Sequence, residues 1–185
     1  MKTTFAKLVL VMGAIWCSGS GWATTNMSGA TGAGVQTFEG SIGAGTCHLL
    51  VNKHALVFPD VYTKDARSTS LTKNFTFTVA GCPSELKEIV ATVSFTPNSK
   101  YGAEYGRMEN TGTGLGIAPF MVADSSLTVT GGYNKTNQLK NGATLTSGLA
   151  SGRADFPIVV NYMGYNTTAK PGTVVSSASF SFDYK

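Results

Sequence analysis

The stretch TVVSSASFSFDYK, residues 173–185, decides the reading of this chain. From Val174 on, Ala178, Phe180, Phe182 and Tyr184 fall on even positions. Val175, Ser177, Ser179, Ser181, Asp183 and Lys185 fall on odd ones. A period of two puts one set on each face of a β-strand, making one face apolar and the other polar. A strand also presents hydrogen-bonding groups along both edges, so one this apolar needs a neighbour on each side. Which segments supply them is the question the rest of the sequence must answer.

At the other end, Lys2 and Lys7 lead into the apolar run LVLVMGAIW (8–16). Small Gly21 and Ala23 follow at the spacing a signal peptidase reads. The pattern is that of a secretory signal, residues 1–23, cleaved after Ala23. The run is too short for a membrane anchor, and bulky Trp16 argues against lipid modification of Cys17. The exported chain then has 185 − 23 = 162 residues, the size of one domain. Its net charge is +4 − 2 = +2 without the two signal lysines, too small and scattered to argue for nucleic acid or an anionic membrane. Only 13% of residues are charged, and Gly, Ser, Thr and Asn abound, which suits strands joined by turns.

Without the signal two cysteines remain, Cys47 and Cys82. In an exported protein an even pair reads as one disulfide. Two buried thiols, or a metal pair with His48, are the alternatives. With no CxxC the pair makes a poor zinc site.

Residues 24–34, TTNMSGATGAG, are polar and glycine-rich, with almost nothing to bury. Strand-like segments follow at turn-punctuated intervals: VQTFEGSI (35–42), CHLLV (47–51), HALVF (54–58), NFTFTVAGC (74–82) and EIVATVSFT (88–96). Next come GLGIAPFMV (114–122), SLTVTG (126–131), ADFPIVVNYMGY (154–165) and the terminal strand. Phe75, Phe77 and Val79 alternate, as do Val93 and Phe95. No window sustains a helical period; PSELKEI, after Cys82, offers a single turn. Residues 134–152 are polar and read as a long hairpin excursion. Many short strands without helices predict an all-β sandwich or barrel.

The search for chemistry returns little. His48 and His54 are the only histidines, and they read as surface or rim residues. No G-x-S-x-G elbow occurs. GTGLG (112–116) lacks the lysine and helix of a phosphate loop. Asp60, Asp65 and Glu85 come from separate loops. Asn26, Asn74, Asn134 and Asn166 open N-x-S/T triplets, which discriminate little in so Asn-, Ser- and Thr-rich a chain. The expectation is a protein without enzymatic activity, metal or cofactor.

Several segments, in order, resemble the type 1 fimbrial protein family of chaperone–usher pilus subunits. FEGSIGAGTC has Gly40 seven residues before Cys47, similar to the family's approach to its first cysteine. VFPDV (57–61) resembles the segment that follows, and FTFTVAGC the strand that delivers the second cysteine. VSFTP, NTGTGLGIAPFM and the ending FPIVVNYMGYNTTAKPGTVVSSASFSFDYK, with its turn at Gly172 and penultimate Tyr184, resemble later family strands.

The resemblance implies an incomplete immunoglobulin-like β-sandwich, a pilin domain at 35–185, that lacks its last strand and is completed by a donor strand. The N-terminal extension, 24–34 and continuing to about 42, would be that donor for a neighbouring subunit. Matching the approach to Cys47 puts Gly34, Gln36, Phe38, Gly40 and Ile42 on the donor face. The acceptor groove, where the periplasmic chaperone binds first, would be lined by Val174, Ala178, Phe180, Phe182, Tyr184 and Lys185. The C-terminal strand would then have no second neighbour within its own chain. Gln36 departs from the pattern, standing where an apolar residue is usual. Either a bulge re-aims Val35 or the donor binds weakly.

The further partners implied are an outer-membrane usher and other pilus subunits, with any host receptor engaged at most indirectly. The expected location is the cell-surface fimbrium, reached through the periplasm. Tip adhesins of the family carry an extra lectin domain that about 162 residues do not accommodate, so a major, minor or adaptor subunit is expected. The alternative is a one-domain carbohydrate- or receptor-binding tip module, using residues 134–152 and Tyr133. A secreted enzyme is a third reading.

Overall fold

The computed structural model describes residues 34–42, 46–58, 72–100, 103–133, 136–164 and 172–184. The signal segment, residues 24–33, Asp60, Asp65, Asn134, Asn166 and Lys185 lie outside the described residues.

Alternation writes the strands. The terminal segment forms β10 (Ser176–Tyr184), in which Ser176, Ala178, Phe180 and Phe182 are buried and the odd positions exposed. Phe75, Phe77 and Val79 are buried along β4 (Lys73–Ala80). Ile89, Ala91, Val93 and Phe95 are buried along β5 (Glu88–Phe95). The others are β1 (Gly34–Ile42), β2 (His48–Leu49), β3 (Lys53–Phe58), β6 (Ile117–Ala123), β7 (Thr128–Thr130), β8 (Thr144–Gly148) and β9 (Ala154–Gly164). Among the described residues the one helical element is a 3₁₀ turn, Ala103–Tyr105. PSELKEI makes a turn closed by the Leu86 N–H on the Pro83 carbonyl, 3.2 Å.

The strands form two sheets, ordered β3-β1-β10-β5-β8-β7 and β2-β4-β9-β6. The sheets face each other through aromatic rings. Phe180 and Phe182 of β10 lie 5.2 and 5.6 Å from Phe77 of β4, and Phe182 lies 5.0 Å from Phe156 of β9. The fold is an all-β sandwich with one core. β1 belongs to the larger sheet and β2 to the smaller, so the chain changes sheets between them.

Two expectations are corrected. Residues 134–152 are not simply an excursion. Within them β8 runs antiparallel to both β5 and β7, and buried Leu145 reaches the core. Its single inward leucine among threonines and serines leaves almost no alternation to read. The second correction concerns β10. The chain itself fills both of its edges: β5 pairs antiparallel on one side and β1 parallel on the other. The physical reason is the inward face of β1, where Gly34, Gln36 and Phe38 are buried and therefore need the slot.

Candidate functional site: the slot beside the C-terminal strand

β1 lies between β3 and β10 in the larger sheet. Its register against β10 sets Gln36 opposite Ser176, Phe38 opposite Ala178, Gly40 opposite Phe180 and Ile42 opposite Phe182. Sizes alternate across the seam. Phe38 comes beside small Ala178, and Gly40 makes room beside Phe180. Phe38 is fully buried and stacks on Phe75 of β4, ring centroids 4.5 Å apart. A Cβ at Gly40 would meet the rings of Phe77 and Phe182 at 3.0 and 3.1 Å, and at Gly34 the Val174 backbone oxygen at 2.5 Å. Gly34 therefore marks the closest backbone approach in the slot.

On the β10 side Val174, Ala178, Phe180 and Phe182 are buried and Tyr184 is half-buried. On the β1 side Gly34, Gln36 and Phe38 are buried, while Gly40 and Ile42 are half-buried. The structure thus brings the two sets of sequence-derived site residues together within one chain. Lys185 falls outside the described residues.

A bulge is not how Gln36 is accommodated. No bulge intervenes, since the β1–β10 register is continuous from Gln36 to Ile42. Gln36 is fully buried, and its Nε2 donates to the Tyr162 hydroxyl at 2.7 Å. Tyr162 comes from β9 in the opposite sheet and packs edge-on against Phe58 at 4.6 Å. Burial holds its hydroxyl well above the usual tyrosine range, so it stays neutral. Tyr162 is the member of this site that sequence reading missed. Its signal was its place in VVNYMGY, one polar-tipped ring on an otherwise apolar face.

Cys47 and Cys82 are bonded, with Cα atoms 4.4 Å apart. The bridge joins the residue before β2 to the second residue past β4, the strand that β2 pairs through His48–Ala80 and Leu49–Val79. His48 is exposed, as expected. His54 is half-buried between the rings of Phe75 and Phe77, at 5.2 and 5.0 Å. Desolvation lowers its pKa, partly offset by a hydrogen bond to the Thr76 backbone. Among the described residues no group of three or more His, Cys, Asp and Glu side chains is placed to hold a metal ion.

No family model matches the chain, and none of the curated proteins compared with it matches significantly. Among solved structures it is similar to the CupB6 tip adhesin of Pseudomonas aeruginosa, at 15% identity and a TM-score of 0.47. The similarity covers 60% of this chain and 29% of that one, so the chain spans under a third of that protein.

Proposed function

We propose that this chain is a structural subunit of a chaperone–usher fimbria, a major, minor or adaptor member, polymerising by donor-strand exchange and supporting cell adhesion. One observation carries the reading: a single chain holds both a strand with a donor-like face, β1, and a slot beside β10 that accepts it. If a second copy's β1 took the same slot, the contact would be head-to-tail and would propagate as a filament. Whenever β1 leaves it, the slot would bare Phe180 and Phe182 and need protection, the role of a periplasmic chaperone, and an outer-membrane usher would pass the subunit to the cell surface.

Co-purification with the cognate chaperone tests the reading. Changing Phe180 and Phe182 to Asp, or removing residues 182–185, should abolish it and leave the chain degraded in the periplasm. Chaperone binding that survives both changes would overturn the assignment of this edge. The alternative, a glycan-binding tip module, draws on the Tyr105–Tyr133 ring pair, centroids 5.6 Å apart. A glycan array with the purified chain, beside electron microscopy of surface fibres, separates the two.

A further inference from the structure

Three strands bring hydrogen-bonding side chains into one place inside an aromatic core. Gln36 of β1 and Ser176 of β10 stand directly opposite each other, and Tyr162 reaches Gln36 from the facing sheet. All three are buried. Gln36 spends its amide nitrogen on Tyr162, while its Oε1 and the Ser176 Oγ have no partner. Two unpartnered buried oxygens cost stability, so the cluster is poorly explained as a device for stability alone. It is well suited to discrimination. A site built to hydrogen-bond a polar group rejects an apolar substitute, because its own polar atoms are then left buried and unpaired.

We propose that the Tyr162 hydroxyl is a selectivity point in the slot, which accepts a strand carrying a side-chain amide opposite Ser176 and discriminates against an all-apolar donor face. The favoured occupant is the 34–42 segment of this chain or of a second copy. For the second copy the inference rests on the strand-exchange reading above. The cluster also fixes register. A slide of two residues would bring Gly34 or Phe38 opposite Ser176 and carry the Gln36 amide away from Tyr162.

Hydrogen exchange on the full-length protein tests the in-chain part by reporting how often β1 leaves β10. Gln36→Leu should speed exchange of the β10 amides about tenfold or more relative to wild type, and Gln36→Asn should do so less. In a Tyr162→Phe background the Gln36→Leu change should lose most of that effect, since the hydroxyl that it would orphan is gone. A Gln36→Leu change that leaves or slows exchange, or that acts equally in both backgrounds, overturns the proposal. A labelled peptide of residues 34–42 then reads the second-copy part by incorporation into full-length protein. The wild-type peptide should enter at least about tenfold better than the same peptide carrying Gln36→Leu. Equal entry of both overturns the selectivity. Entry of neither, with the in-chain coupling intact, overturns the exchange reading and not the selectivity point.

Discussion

Phe38 and Gly40 set the scale of what one residue contributes to the slot. Phe38 is wholly buried on Phe75, and its replacement by Ala should cost about 3–5 kcal/mol, the range for emptying a buried aromatic site. Chemical denaturation measures this directly. The two glycines of β1 should differ. Gly34→Ala drives a methyl into the Val174 backbone, whereas Gly40→Ala meets only side-chain tips of Phe77, Phe182 and Leu49. Gly34→Ala should therefore lower the denaturation midpoint more than Gly40→Ala, and the reverse order would contradict the seam described. His54 adds a pH dependence. Its pKa is lower folded than the ordinary 6.5, so the unfolded chain binds the proton more readily. Stability should fall as pH drops below about 6.5 and level off once the folded form protonates. Melting curves from pH 8 to 5 should show this slope shrinking in His54→Gln. At this scale the sequence showed Phe38 and the even face of β10 plainly. It could not show why Gln36 belongs on that face, because its partner, Tyr162, lies 126 positions away.

Strands were legible where alternation was strong. β4, β5 and β10 each bury one face against the core and so write a period of two. β8 was hidden because its pattern holds one buried leucine among small polar residues, and the pairing that defines it comes from β5 and β7. The partner of β10 was hidden for a different reason. Alternation says that a strand needs neighbours, but it carries no address for them. The disulfide acts at this scale too, fastening the residue before β2 to the second residue past β4. Replacing Cys47 and Cys82 by Ser should remove a stabilisation of roughly 4 kcal/mol in the loop-entropy model. Denaturant titration of the oxidised and variant proteins checks the value, and intact mass with thiol labelling should find no free thiol at either position.

At the scale of the whole chain, β1 and β10 come from opposite ends of the described sequence and meet in one sheet. That seam is where the proposed exchange would act, with the strand that closes the sandwich passing between copies. The chain lacking residues 24–38 tests it most directly, because it keeps the slot and loses most of β1, Gln36 and Phe38 included. Prepared with its chaperone and mixed with full-length protein, it should accept a full-length chain's strand and donate none. Native mass spectrometry should then find short assemblies, each ended by one truncated chain, and electron microscopy should show fibres shortened in proportion to the truncated fraction. Long homopolymers of the truncated chain, formed unaided, would contradict the account.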